Sequence, residues 1–240
     1  MIHHLNIFKF IFLIITLNDI GCENTRYSIK VADKYCFLAE MQLAVEIFYP
    51  QKRESELAKV FYSLTNLTVN DGANYCQKDK TSFNLVWAPE KSTHQWNIQM
   101  DFDKTNKDIS FILLRISYYL EESIFPGTES TGERSLQSSG IIYNTTVDQY
   151  FECIKGMEIE MSEANPSAKS THATFRMSQV KIQPFILKDD PEFSDSQISC
   201  AADNMDNTIP IAVGVALALC IACALIGFMA FNCRNRRRQA

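Results

Sequence analysis

The sequence predicts an all-β ectodomain followed by a single C-terminal transmembrane helix. Between residues 22 and 208 several stretches alternate apolar and polar residues with a period of two, which is typical of half-buried strands, and no helical face of convincing length occurs. The 23 consecutive residues 209–231 carry no charge. Four cysteines lie between residues 23 and 208. Together these observations favour a disulfide-containing β domain attached to a membrane.

The first 22 residues predict a secretory signal peptide. His3, His4 and Lys9 are polar or basic, and an apolar core follows at residues 10–15. A core this short is typical of a cleaved signal rather than of a membrane anchor. We therefore expect residues 1–22 to be removed as the chain enters the secretory pathway.

The apolar stretch 209–231 is long enough to span a bilayer. As a helix it measures about 34 Å, against a hydrocarbon core of about 30 Å. The basic tail 232–240 follows it at once, and positive charge next to a span marks the cytoplasmic side. This predicts a type I membrane protein whose stop-transfer cluster consists of Arg234, Arg236, Arg237 and Arg238. Cys233, beside the span, is a candidate for palmitoylation.

The predicted lumenal region is strongly acidic. Residues 22–208 hold 18 Lys and Arg against 27 Asp and Glu, which gives a net charge of −9. A surface this acidic excludes binding to nucleic acid through a phosphate-neutralising patch. A hydrophobic content of 46% argues against disorder. We expect one folded domain at 23–190 and a short acidic stalk at 191–208.

The alternating stretches give the expected order of strands. The longest runs from Phe37 to Tyr49, and residues 109–120, apolar on both faces, predict a central strand. The remaining stretches are 83–87, 96–102, 157–161 and 175–187. Residues 121–140 are rich in Ser, Thr, Gly and Glu and are expected to form a long polar loop that divides the domain into two halves.

Four lumenal cysteines in an oxidising compartment predict two disulfides. They are Cys36, Cys76, Cys153 and Cys200. Three pairings are possible. In the sequential one, Cys36 pairs with Cys76 and Cys153 with Cys200, which are 40 and 47 residues apart in sequence. A zinc site would need close cysteine pairs, and the only such pair, Cys220 and Cys223, lies in the predicted span.

Two sequons are candidate glycosylation sites. They are Asn66-Leu67-Thr68 and Asn144-Thr145-Thr146. With a signal peptide and a span on either side, we expect at least one of the two asparagines to carry a glycan.

No motif of catalytic chemistry is present. The sequence lacks Gly-x-Ser-x-Gly, His-Glu-x-x-His and a Gly-x-Gly-x-x-Gly that follows a strand. The lumenal histidines, His94 and His172, are far apart and have no obvious catalytic partner. Glu158 and Glu160 share a strand face, which strand alternation explains without chemistry. The prediction is a protein that is not an enzyme and has no catalytic residue, metal or cofactor.

The chain resembles the membrane-proximal domain, span and tail of the lysosome-associated membrane glycoproteins, the LAMP family. The resemblance covers about residues 35–231 and rests on the order of several short segments around the cysteines. They are CFLAEMQL at 36–43, WNIQMDF at 96–102, FILL at 111–114, YFEC at 150–153, FRMSQVKIQPF at 175–185, Cys200 with Asp203, and IPIAVG at 209–214.

This resemblance implies a β-prism ectodomain, disulfides paired in sequence order, and residence in late endosomal, lysosomal or related vesicle membranes. The implied function is non-enzymatic membrane organisation or protein sorting. Candidate partners are the membrane, other membrane proteins as cargo, and a second copy of the chain. The tail 232–240 lacks the family's tyrosine signal, and two sequons cannot build a dense sugar coat. The alternative is a sorting receptor or adhesion ectodomain of the plasma membrane or synaptic vesicle.

Overall fold

The all-β prediction is confirmed. The computed structural model describes residues 25–52, 56–164, 170–203, 217–221 and 223. Within this part of the chain, fourteen strands form one sheet. They are β1 Thr25–Val31, β2 Lys34–Pro50, β3 Leu57–Leu64, β4 Thr68–Val69, β5 Tyr75–Cys76, β6 Lys80–Trp87, β7 Trp96–Thr105, β8 Asp108–Leu120, β9 Gly132–Ser138, β10 Tyr143–Thr146, β11 Gln149–Cys153, β12 Met157–Ser162, β13 His172–Lys188 and β14 Ser196–Ser199.

The longest strands in the described part of the chain, β2 and β13, have 17 residues each and are neighbours in the sheet. They pair antiparallel, with Val45 opposite Phe175. The other edge of β2 pairs with β1 along its first half and with β3 along its second half. Leu43, Val45 and Ile47 are buried while the residues between them are partly exposed, so the period of two predicted for 37–49 is present.

The sheet curves round a single hydrophobic core until it almost closes. The main path runs β1-β2-β13-β12-β9-β8-β7-β6-β4. Nevertheless the ring of Tyr27 on β1 lies 5.9 Å from that of Phe83 on β6, and Phe37 on β2 stacks on the same ring at 4.5 Å. Strands near opposite ends of the path therefore share one core, which makes the fold barrel-like.

The prediction of a polar loop that divides the domain is wrong. Residues 132–138 form β9, which pairs antiparallel with β8, and the sheet continues across the predicted division. Only Leu136 among the side chains of β9 is both apolar and buried. The strand can form with little hydrophobic pattern, because its backbone hydrogen bonds to β8 do not depend on the identity of the side chains.

Part of the predicted stalk belongs to the sheet. Residues 196–199 form β14, which runs parallel to β11 and places Ile198 opposite Phe151. The side-chain amide of Gln149 on β11 donates a hydrogen bond to the hydroxyl of Ser196 at 3.1 Å. The sheet therefore extends beyond residue 190, which was the expected end of the domain.

The chain divides into one unit up to Cys200 and another from Ala201 onward. In the second unit, residues 217–221 and 223 are helical. Among the described residues, no helix has the length and apolar character needed to cross a membrane. Several predicted features lie outside the described residues and stay predictions. They are the signal peptide 1–22, all but six residues of the span 209–231, Cys233, and the arginines at 234, 236, 237 and 238.

Gly156, in the turn between β11 and β12, is expected to tolerate no side chain. Its φ is +89°, and an added Cβ would lie 2.7 Å from the Met177 carbonyl oxygen. Gly156→Ala should therefore lower the free energy of unfolding by about 1–3 kcal/mol, measured by urea denaturation of the purified protein.

Gly140→Ala is the matched control for this substitution. Gly140 also has a positive φ, +73°, but nothing lies within 4 Å of its added Cβ. The control carries the backbone strain without the steric contact, so it should be the milder change. Equal losses in the two variants would contradict the close packing of this turn against β13.

Candidate functional site

The first disulfide links strands from the two ends of the curved sheet. Cys36, buried on β2, bonds to Cys76 on β5, with their Cα atoms 6.3 Å apart. β5 pairs with β6, near the far end of the sheet path. The bond therefore joins covalently the two sides that the core aromatics already bring together.

The second disulfide fastens the end of the first unit to the sheet. Cys153 closes β11 and bonds to Cys200, which follows β14, at a Cα separation of 5.2 Å. The Cys200 amide also donates to the Glu152 carbonyl at 3.0 Å. The two bonds give the sequential pairing that the resemblance implies. Because all four sulfurs are oxidised, none of them supplies the thiolate that a zinc site needs.

An open groove lies between β3 and the segment that follows β6. We call it the aromatic groove; its volume is about 700 Å³. Its floor is formed by Val60, Tyr62, Trp87, Pro89 and Ile124, and its rim by Ser63, Thr65, Asn66, Glu90, Lys91 and Ser123, with Ala88 and Pro126 completing the lining.

Hydrogen bonding and ring packing hold the floor of the aromatic groove. The Tyr62 hydroxyl donates to the Ile124 carbonyl at 2.9 Å. The Tyr62 ring lies 5.4 Å from that of Trp87, and Trp87 in turn contacts the core residue Trp96 at 5.0 Å. The floor is therefore a fixed apolar surface surrounded by polar side chains, which is the usual form of a small-ligand site.

Both predicted sequon asparagines lie at the surface. Asn66 is exposed in the turn between β3 and β4, with a φ of 58°. Asn144 is exposed on β10, where its Oδ1 accepts a hydrogen bond from the Ser110 hydroxyl at 2.7 Å. Asn66 lies on the rim of the aromatic groove, whereas Asn144 does not line it.

A ladder of charges crosses four neighbouring strands on the outer face. Lys59 on β3 contacts the Glu46 carboxylate at 3.0 Å, and Arg176 on β13 contacts Glu46 at 3.5 Å and Glu158 at 2.8 Å. The hydrogen bond to Glu158 raises the pKa of Arg176. Glu160 accepts a hydrogen bond from the Thr174 hydroxyl at 3.1 Å. The two carboxylates at 158 and 160 thus bond to side chains of the neighbouring strand β13.

A family comparison decides which family this chain is part of. The protein-family model described as "Lysosome-associated membrane glycoprotein 2-like, luminal domains" matches residues 21–201, which is most of the chain. The chain belongs to the LAMP family. No curated protein sequence matches it.

Three solved LAMP domains share its fold. The membrane-distal domain of mouse LAMP-2 aligns with a TM-score of 0.58 and 14% identity, covering 74% of this chain and 99% of that domain. The membrane-proximal domain of mouse LAMP-1 gives 0.54 and 17%, covering 76% and 100%. Human LAMP-3 gives 0.52 and 14%, covering 75% and 99%. At these identities the likeness concerns the fold.

The histidines of this LAMP domain do not form a nucleophilic relay. His94 stacks on Tyr119 with the ring centroids 3.9 Å apart, and its Nδ1 lies 3.0 Å from the Thr93 hydroxyl and 3.8 Å from the Glu121 carboxylate. A hydroxyl relay needs the base to contact nucleophile and carboxylate through different ring nitrogens, but here both partners are at Nδ1.

Ser92 and His172 also make local contacts with neighbouring groups. The Ser92 hydroxyl lies within hydrogen-bond distance of the Glu121 carboxylate and the His94 backbone carbonyl, and its oxygen accepts from the His94 amide. His172 stacks on Phe48 at 4.7 Å. LAMP luminal domains are structural domains rather than a known class of enzyme, and these contacts agree with a structural role.

Two tyrosines, Tyr118 and Tyr143, are buried in the core. Burial raises the pKa of Tyr143 and of Tyr118 well above the ordinary value of about 10. Tyr143 stacks on Phe151 with the ring centroids 3.7 Å apart. Both phenols therefore stay protonated at physiological pH and act as core side chains.

Sequence reasoning located the cysteines and asparagines but missed the aromatic groove. Its lining comes from three separate segments, 60–66, 87–91 and 123–126. Only the folding of β3 beside the turn after β6 brings them together. The one local signal in the sequence is that Ala88-Pro89 follows Trp87 directly, so that a predicted strand ends at a large aromatic residue.

Proposed function

We propose that this LAMP-family chain is a non-enzymatic type I glycoprotein of endosomal, lysosomal or related vesicle membranes. In this role it takes part in membrane organisation or protein sorting. The family match over residues 21–201 carries the proposal, because LAMP-family members are typically lysosomal membrane glycoproteins. Its partners would be the membrane through one span, other membrane proteins as cargo, and a second copy of the chain.

Three features of the molecule support a lumenal position for the β domain. The two disulfides suit an oxidising compartment, since cytosolic thiols are kept reduced. Both sequon asparagines are exposed. The uncharged stretch 209–231 is followed at once by four arginines, the pattern of a span whose tail faces the cytosol.

Localisation of the full-length chain tests the proposal. We expect an antibody against the β domain to stain vesicles that contain late endosomal or lysosomal markers, with little label from surface biotinylation. Strong surface labelling without an intracellular pool would favour the receptor or adhesion alternative. Residence in the cytosol, nucleus or mitochondria would contradict both.

Topology can be tested in the same cells. Replacing all four tail arginines with glutamine should let part of the tails enter the lumen, because the cluster that retains the tail in the cytosol is lost. A C-terminal epitope tag should then resist protease added to sealed vesicles, whereas a lysine-substituted tail, the matched control, keeps the charge and should leave the tag digestible.

A further inference from the structure

We propose that the aromatic groove holds the core of an N-linked glycan attached to Asn66 of the same chain. The sequon provides the sugar, and the groove provides an apolar floor for one face of its first rings and polar side chains for its hydroxyls. This inference rests on the proposed lumenal position of the domain, since only there is Asn66 glycosylated.

The groove has the size and chemistry for a short carbohydrate. Its volume of about 700 Å³ lies within the range of small-ligand pockets, about 300–1,000 Å³. An N-acetylglucosamine ring presents a face of C–H groups, and the negative face of an aromatic ring attracts such positively polarised groups. Trp87 and Tyr62 supply two aromatic rings in the lining.

The rim suits the polar edge of the sugar. Ser63, Thr65 and Ser123 are exposed hydroxyl-bearing residues around the opening. Glu90 and Lys91, also exposed, add an acceptor and a donor to the rim. Hydroxyl and acetamide groups of a sugar can exchange bonds to water for bonds to these side chains while its ring covers the floor.

The backbone fixes the attachment point at the groove. The Thr65 amide donates to the Ser63 carbonyl at 3.1 Å, which tightens the turn before Asn66. On the other side Leu67 is only 8% exposed and anchors the turn in the core, and Thr68 begins β4. Because the asparagine is fixed at the rim, the first sugar is already beside its binding surface and binds at high effective concentration.

A glycan in this place would also cover an open strand edge. In the part of the chain that the structure describes, β3 pairs with β2 alone, and its residues Val60 and Tyr62 line the groove. Exposed strand edges can pair with other chains, so proteins usually cover them. A sugar at Asn66 would shield this edge.

The test compares the two sequons of the full-length protein, expressed in secretory cells and purified in detergent. Peptide N-glycosidase is added to the native protein, and glycopeptide mass spectrometry follows release at each site. We expect release at Asn66 to be about tenfold slower than at Asn144, the factor that about 1.4 kcal/mol of contact gives. After denaturation the two rates should be equal.

Tryptophan fluorescence gives a second readout, because the chain has only two tryptophans. Trp96 is fully buried, so a change at the groove reports on Trp87. Asn66→Gln should increase acrylamide quenching and shift the emission to the red. Asn144→Gln, the matched control, should change neither.

The outcomes separate this inference from the proposed function. Native release at equal rates, with unchanged quenching in Asn66→Gln, would overturn the inference, as would an unoccupied Asn66. If Asn144 is glycosylated in those cases, the lumenal position of the domain stands and only the groove proposal fails. If neither asparagine carries sugar in the protein purified from these secretory cells, both fail.

Discussion

Replacing Cys153 and Cys200 together with serine is expected to lower the free energy of unfolding by about 2–5 kcal/mol. The bond closes a loop of 47 residues and holds β14 against β11. β14 has only four residues, and its one apolar side chain, Ile198, is 36% exposed, so the strand buries little apolar surface. Without the bond, little burial remains to keep this parallel pair together.

Urea denaturation measures the loss of stability, and hydrogen exchange shows where it falls. Backbone amides of 196–199 should lose protection in the double variant even under native conditions. Replacing Cys36 and Cys76 with serine is the matched control, since it should cost a similar global free energy but leave β14 protected. Full protection of β14 after loss of Cys153–Cys200 would contradict its dependence on the bond.

Trp96→Ala is expected to lower the free energy of unfolding by about 3–5 kcal/mol. The Trp96 ring is fully buried on β7 and packs against aromatic residues of several other segments. Their ring centroids lie 5.0–6.1 Å away and belong to Tyr62, Trp87, Tyr118 and Phe125. Truncation would leave a cavity between the floor of the aromatic groove and the core.

Two further variants sharpen this prediction. Trp96→Phe should cost far less, because it keeps a ring and removes an indole Nε1–H that has no acceptor within the described residues. Phe61→Ala, on a ring that is 55% exposed, should cost about 1 kcal/mol or less. Thermal denaturation can rank the three variants. A loss in Trp96→Ala no greater than in Phe61→Ala would contradict the described core.

The strands that could be predicted from sequence are those with one fully apolar face. β2, β7 and β12 alternate cleanly, and their inward residues are buried in the structure as expected. β9 and β14 could not be found in this way, because each has one central apolar residue among polar ones. These strands form through backbone pairing with β8 and β11, and such pairing has no signature in the local pattern.

The candidate site likewise has some features that could be predicted from the sequence and others that could not. Cysteines and sequons are visible in sequence because their chemistry depends on residue type and short spacing. The pairing Cys36–Cys76 and Cys153–Cys200 was one of three possibilities until the family resemblance favoured it. The aromatic groove was not predictable, since Tyr62 and Ile124 are 62 residues apart and meet through a hydrogen bond to a backbone carbonyl.

Non-reducing peptide mapping of the protein purified from cell membranes tests the central claim, a lumenal LAMP domain fastened by two disulfides, most directly. We predict two linked peptide pairs, one joining Cys36 to Cys76 and the other joining Cys153 to Cys200. A Cys36–Cys153 bridge would contradict the described sheet, and four free thiols would contradict the lumenal position.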